Sequence, residues 1–323
     1  MRPVLSIVAL GLLATAPVIH ASISVVRPVP YLQERPTFRA STDLIAMTVV
    51  VRKANGAPVT SLTRDDFELV DSGKTRPFSD FRADNAPINI GLLIDLSGSM
   101  DVAVKLPAAR EVAGQIVRRL TADADQIGLF TFDSSLQVTE AMGPAPGRVM
   151  ERLERLKPYG STSLYDAIAD TGREVAKHGG SHRAVVVLTD GADTTSRLSP
   201  AQVSSIASAM DVPVYVIVIV SPLDSSGSTR QDDRDGESRL VGRLADLARW
   251  TGGDIFAATN PASTSVAARQ IVTELRHQYL IAFEPSQVPG WHPIDLRARD
   301  KGLVVRARSG YVIQSSPDRP FVF

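Results

Sequence analysis

Residues 88–100, INIGLLIDLSGSM, decide the fold of this chain. An apolar run that breaks into Asp95, Ser97 and Ser99 is typical of a buried strand that ends in a polar turn. Each of these three short side chains carries oxygen, the ligand that Mg²⁺ prefers in its octahedral sites. Ser and Asp are also common helix caps, so the stretch alone is equally compatible with a metal-free turn. It predicts a strand that ends at a candidate cation site.

The composition excludes several classes of function. The chain has 323 residues, with 35 basic and 35 acidic side chains and a formal net charge of +0. No overall field attracts it to nucleic acid or to an anionic membrane, so a protein or small-molecule partner is favoured. It has no cysteine, which excludes disulfides, thiolate metal sites and cysteine nucleophiles.

The N-terminus has the layout of a secretory signal peptide. Arg2 precedes an apolar run over residues 4–16, and small residues follow up to Ala21 and Ser22. The run is too short for a comfortable membrane span, so we predict cleavage between Ala21 and Ser22. An uncleaved N-terminal anchor is the alternative. The prediction is an exported protein, periplasmic, cell-surface or secreted, with no membrane span after signal cleavage.

Strands alternate with amphipathic helices from Ile88 to His277. This alternation predicts an α/β fold with a doubly wound, mostly parallel sheet. The flanking strands are too few on either side to form a stable domain alone, and we expect them to pair into one small β domain that carries the α/β domain as an insertion. The predicted division is a signal peptide (1–21), the N-terminal part of the β domain (22–86), the α/β domain (87–277), the C-terminal part of the β domain (278–314) and a tail (315–323).

Residues 221–238 are polar and charged and are predicted to form a long loop. The loop follows the fifth strand of the α/β domain, so it is expected on the same face as the candidate cation site. We predict that it influences the choice of partner.

Two later stretches belong with the opening one. Thr162 precedes a helix, and Asp190 ends the apolar run over residues 184–189. In an open α/β sheet, ligands bind at the carboxyl ends of the strands, where the strand order reverses. Asp95, Ser97, Ser99, Thr162 and Asp190 are therefore expected to lie together.

DLSGSM, Thr162 in GSTSLYDAI and Asp190 in VVLTDG resemble the metal-ion-dependent adhesion site of von Willebrand factor A domains. The resemblance implies a six-stranded sheet of order 3-2-1-4-5-6. It also implies that Ser97, Ser99 and Thr162 bind Mg²⁺ through their hydroxyls, with Mn²⁺ or Ca²⁺ possible, while Asp95 and Asp190 act mainly through water. An acidic side chain of a protein ligand then completes the coordination.

The flanking segments, residues 56–81 and 278–311, resemble exported bacterial proteins grouped as VWFA-related domain proteins. The predicted function is a non-enzymatic, cation-dependent protein-binding module of the adhesion type. One alternative is a structural or assembly protein of the cell envelope, in which the metal only stabilises loops. Another is a Mg²⁺-assisted phosphoesterase, although no general base is evident. Near the site, Asp166 is expected to orient the Thr162 loop, and Asp193 to be a turn residue or an outer-sphere acceptor.

Overall fold

The computed structural model describes residues 44–84, 86–102, 104–191, 193–221 and 231–313, with no side-chain description for Asp84 and residues 231–240. The predicted signal peptide and the predicted C-terminal tail lie outside this range. Within it, no helix is both long enough and apolar enough to cross a membrane.

The elements follow the predicted alternation. The N-terminal strands are β1 (Ile45–Lys53), β2 (Phe67–Asp71), β3 (Lys74–Arg76) and β4 (Asp80–Asp84). The α/β part consists of β5 (Ile88–Asp95), α1 (Lys105–Val117), β6 (Gln126–Phe132), β7 (Leu136–Gly143), α2 (Pro146–Glu154), α3 (Leu164–Ala176), β8 (His182–Thr189), α4 (Pro200–Ala209), β9 (Val214–Ile219), α5 (Gln231–Thr251), β10 (Ile255–Ala258) and α6 (Pro261–Arg276). The C-terminal strands are β11 (Gln278–Phe283), β12 (Gly290–Ala298), β13 (Leu303–Arg306) and β14 (Gly310–Ile313).

Among the described residues, six strands form the central sheet in the order β10-β9-β8-β5-β6-β7. Only β7 runs antiparallel to its neighbour. Counted from β5 along the chain, this is the order 3-2-1-4-5-6, so the predicted doubly wound sheet is confirmed. Every residue of β5 is buried, because helices cover both faces of the sheet. The strand order reverses between β5 and β8. These two strands are parallel neighbours, so their last residues, Asp95 and Thr189, lie at the same edge of the sheet.

The flanking strands pair with each other, as predicted. They form two four-stranded sheets, β13-β1-β11-β4 and β14-β12-β2-β3, and each sheet combines strands from before and after the α/β part. Side chains of both sheets meet in one apolar core, which contains Met47, Leu69, Tyr279, Phe283 and Tyr311. The chain therefore carries its α/β domain as an insertion in a β-sandwich.

Two helices differ from the sequence prediction. Helix α2 was not predicted, and it buries only Val149 and Leu153. Helix α5 begins at Gln231, so the loop predicted over residues 221–238 is wrong from residue 231 onward. Tertiary packing outweighs the polar composition there, since Leu244 and Leu247 farther along the same helix are buried in the core. Residues 222–230 lie outside the described part of the chain.

An ionic cluster joins the β-sandwich to the α/β domain at the end of the sheet remote from Asp95. The Nη2 atom of Arg52 lies 3.2 Å from Oδ2 of Asp254, and its Nη1 atom lies 3.3 Å from Oε1 of Glu274. Arg306 contacts the same two carboxylates and lies over the ring of Tyr215. Glu274 is almost fully buried. Charges removed from water in this way are stable only while they stay paired.

We predict that Arg306→Met strongly destabilises the protein. The change leaves Glu274 with part of its charge unpaired in the interior, which typically costs about 3–5 kcal/mol in the free energy of unfolding. Urea denaturation measures this cost. The matched control is Arg297→Met, because Arg297 contacts Asp295 on the exposed surface of β12 and its loss should have little effect. Equal stability of the two variants would contradict the prediction.

Candidate metal centre

Asp95 is the last residue of β5, and its carboxylate is fully buried. One oxygen accepts the backbone N–H of Ser97 at 2.8 Å, and the other accepts the hydroxyl of Thr189 at 2.6 Å. Burial raises the pKa of Asp95 to about 6, because removal from water penalises the charged form, and nearby Asp190 adds to the effect. Asp95 is thus a carboxylate held by neutral donors, with a negative charge that its surroundings do not balance.

The two serines lie in the turn after β5. The hydroxyls of Ser97 and Ser99 are hydrogen-bonded to each other, with their Oγ atoms 2.9 Å apart. A short 3-10 helix over Gly98–Asp101 shapes this turn, and the buried side chain of Met100 anchors it in the core. The N–H of Gly98 donates to the carbonyl of Gly160 at 3.0 Å, which fixes the turn against the loop that carries Thr162.

Thr162 is buried and is held from the other side by the loop after β8. Its carbonyl oxygen accepts the backbone N–H groups of Thr194 at 2.9 Å and Thr195 at 3.0 Å. Its own N–H donates to the Thr194 hydroxyl at 3.1 Å. The structure thereby links the three loops that contain the five predicted site residues.

Asp190 follows β8 directly and is paired with a residue that the sequence reasoning missed. The Nζ atom of Lys105 lies 3.1 Å from Asp190 Oδ2, and both side chains are less than a tenth exposed. The other oxygen, Oδ1, is buried and has no hydrogen-bond partner among the described residues. A buried carboxylate oxygen in this condition is costly unless a cation or water binds it.

The expected role of Asp166 is wrong, whereas Asp193 is a turn residue as expected, since it accepts the hydroxyl of Ser196, and has a second role as well. Asp193 accepts the N–H of Leu164 at 2.9 Å and therefore positions the start of α3, next to Thr162. Asp166 accepts the N–H groups of Arg197 and Leu198 instead, so it orients the loop after Asp190 rather than the Thr162 loop. Both carboxylates hold loops in place through hydrogen bonds from backbone N–H groups.

The donor set fits a hard divalent cation. It offers the hydroxyls of Ser97, Ser99 and Thr162, the unpaired Oδ1 of Asp190 and the buried carboxylate of Asp95, all oxygen ligands. In the described part of the chain, no group of three or more His, Cys, Asp or Glu side chains could hold a metal ion. A cation at this site therefore depends on hydroxyl oxygens.

Exposed apolar side chains flank the serine turn and precede Thr162 in the sequence. Val102 and Val104 follow the turn and are 49% and 58% exposed. Tyr159 is 80% exposed, although its backbone N–H is fixed to the carbonyl of Leu96. Three large apolar side chains close in sequence to the site residues are therefore exposed.

Comparison with known proteins identifies the domain. Residues 90–192 match the sequence model of the von Willebrand factor type A domain. This part of the chain is similar to von Willebrand factor type A domains. No curated protein matches the chain.

The solved structures that match the chain are distant in sequence. The conserved hypothetical protein BatB from Bacteroides thetaiotaomicron is 18% identical, with a TM-score of 0.47 over 59% of this chain and 98% of its own. A von Willebrand factor type A protein from Catenulispora acidiphila is 14% identical, with a TM-score of 0.47 over 87% of this chain and 76% of its own. Proximal thread matrix protein 1 from the mussel byssus, described with a zinc-occupied MIDAS motif, is 15% identical, with a TM-score of 0.48 over 64% of this chain and 49% of its own.

We predict a characteristic pH dependence for Asp95→Asn in the presence of EDTA. The pKa of Asp95 is raised from 3.8 to about 6, so folding favours the protonated acid. The stabilisation from its proton is present below about pH 4 and is lost as the pH rises through about 6. Relative to Asp95→Asn, the free energy of unfolding of the wild type should therefore fall by about 2 kcal/mol between pH 4 and 7.5. Urea denaturation at several pH values measures the difference, and a constant difference would contradict the prediction.

Proposed function

We propose that this protein is an exported, divalent-cation-dependent protein-binding module. A Mg²⁺ ion is held by Ser97, Ser99 and Thr162 through their hydroxyls and by Asp95 and Asp190 mainly through water. An Asp or Glu side chain of a protein partner completes its coordination. Two observations carry the proposal: the Oδ1 atom of Asp190 is buried and unpaired among the described residues, and the hydroxyls of Ser97 and Ser99 lie next to each other at the end of β5.

The charge of the site supports an acidic ligand. Asp95 and Asp190 contribute two negative charges, and Lys105 neutralises one of them. A bound divalent cation then leaves the site with an excess of one positive charge in a largely buried setting. A carboxylate from a partner balances that charge, and a neutral ligand does not. When bound, the cation supplies Lewis-acid attraction for this carboxylate.

The alternative, in which the metal only stabilises loops of an envelope assembly protein, has less support. Gly98 is already bonded to Gly160, and Thr162 is already bonded to Thr194 and Thr195. Asp193 secures the start of α3 in the same way. These loops have protein hydrogen bonds that keep them together without a cation. The alternative predicts that EDTA lowers the melting temperature while no carboxylate-dependent partner is found.

The division of the chain belongs to the proposal as well. We propose a signal peptide over residues 1–21, a β domain built from 22–86 and 278–314, a von Willebrand A domain over 87–277 and a tail over 315–323. Separate apolar cores on either side of the proposed boundaries support this division. Export rests on the N-terminal sequence alone.

We propose no reaction for this site. A Mg²⁺-assisted phosphoesterase would need a general base near the cation, and Asp166 and Asp193 are both engaged with backbone N–H groups. Phosphate-ester turnover that is lost in Ser97→Ala would contradict the non-enzymatic assignment.

Cation binding is tested by titration with Mn²⁺, followed by electron paramagnetic resonance. The wild type should bind one Mn²⁺ per chain, and excess Mg²⁺ should displace it. Thr162→Ala should weaken binding by at least about tenfold, because it removes one oxygen ligand. Ser161→Ala is the matched control, since it deletes an exposed hydroxyl from the adjacent position and should leave the affinity unchanged. Identical affinities for these two variants would sink the proposed ligand set.

Partner binding is tested by capture from envelope extract on the immobilised mature chain. A specific partner should bind in Mg²⁺, elute with EDTA and fail to bind Thr162→Ala, while Ser161→Ala still captures it. Replacing the partner's contacting Asp or Glu by the amide should abolish capture, because the cation then lacks its anionic ligand. Capture that survives saturating EDTA would refute the mechanism.

A further inference from the structure

Lys105 occupies an unusual position for a lysine. It lies in the first turn of α1, and Ala109, Val112 and Ile116 continue the same face of that helix into the core. Its side chain is only 9% exposed. Lysine is seldom buried unless its charge is paired, so its burial here implies a specific electrostatic role.

One partner of Lys105 is a proposed metal-binding carboxylate. Its Nζ lies 3.1 Å from Asp190 Oδ2. The second oxygen of the same carboxylate has no hydrogen-bond partner among the described residues. One oxygen of Asp190 therefore serves the chain's own cation, and the other stays available to a metal ion or to a water that it holds.

A divalent cation near Asp190 has two opposing interactions. The carboxylates of Asp95 and Asp190 attract it, and the ammonium group of Lys105 repels it. Both interactions are strong because the groups are shielded from solvent. Lys105 thus stabilises the protein without metal and weakens the binding of metal. A carboxylate that arrives from a partner offsets the repulsion, since it adds a negative charge to the same site.

We propose that Lys105 is a built-in counter-ion that couples the cation to the acidic ligand, so that each binds tightly only in the presence of the other. This regulation rests on the proposed function of the site. It makes the loaded state dependent on the partner, because the cation alone is bound weakly. The coupling is reciprocal: whatever factor the ligand adds to cation affinity, the cation adds to ligand affinity.

The test is Mn²⁺ titration of wild type, Lys105→Met and Lys105→Arg at pH 8, with sodium acetate or an equal ionic strength of sodium chloride. Lys105→Met should bind Mn²⁺ about tenfold or more tightly than the wild type, because the repulsion is gone. Lys105→Arg retains the charge and should stay close to the wild type. Equal or weaker Mn²⁺ binding by Lys105→Met would overturn the proposal.

Acetate provides a test that needs no variant. After correction for free Mn²⁺, acetate should increase the Mn²⁺ affinity of the wild type relative to chloride, and the increase should be smaller in Lys105→Met. The absence of any acetate effect on the wild type would contradict the coupling, even if the Met variant does not fold.

Thermal unfolding in EDTA separates this inference from the proposed function. Lys105→Met should lower the melting temperature because it leaves the Asp190 charge buried and unpaired, and Lys105→Met with Asp190→Asn should recover part of the loss. If the wild type binds no Mn²⁺, the proposed function fails and this inference fails with it, even where the melting temperatures show the pair. If the wild type binds Mn²⁺ and Lys105→Met binds it no more tightly, only the counter-ion role fails.

Discussion

The burial of Asp95 at the end of the central strand is the constraint on which the rest of the site depends. Both faces of β5 are covered, so the carboxylate of Asp95 lies in the interior of the domain and not on its surface. Ser97 and Thr189 donate hydrogen bonds to it, which fixes its position but does not neutralise its charge. Burial of this carboxylate raises the pKa of Asp95, and its unbalanced negative charge attracts a cation. The serine turn, the Thr162 loop and Asp190 supply the remaining oxygen atoms around it.

The two ends of the central sheet make different contacts. At the end remote from Asp95, the β-sandwich is attached through Arg52 and Arg306, whose partners Asp254 and Glu274 belong to the α/β domain. At the site end, the loops bond mainly to one another, and Tyr159, Val102 and Val104 remain exposed. The β-sandwich is therefore attached at the end of the sheet opposite the proposed metal site.

The doubly wound sheet and the meeting of its strand ends were predictable from the alternation of strands and helices, whereas the strand order came only from the resemblance to von Willebrand factor A domains. Lys105 was not predicted, although it lies four residues before Ala109 in the buried stripe of α1, and a lysine in that register was the available signal. The contacts of Asp166 with Arg197 and Leu198 and of Asp193 with Leu164 were missed, because only the tertiary geometry decides which N–H groups each carboxylate accepts. The start of α5 was missed because residues 231–238 lack an apolar period.

The most direct test of the central claim is the anomalous diffraction of a crystal of the mature chain that has been soaked in Mn²⁺. The account predicts one strong anomalous peak that lies within about 2.0–2.4 Å of the Oγ atoms of Ser97 and Ser99 and of Oγ1 of Thr162, as expected for direct oxygen ligation. Asp95 and Asp190 should lie one water farther away. A fully soaked crystal with no peak at these hydroxyls, or with its peak at another group of side chains, would contradict the claim that this strand end is a metal centre.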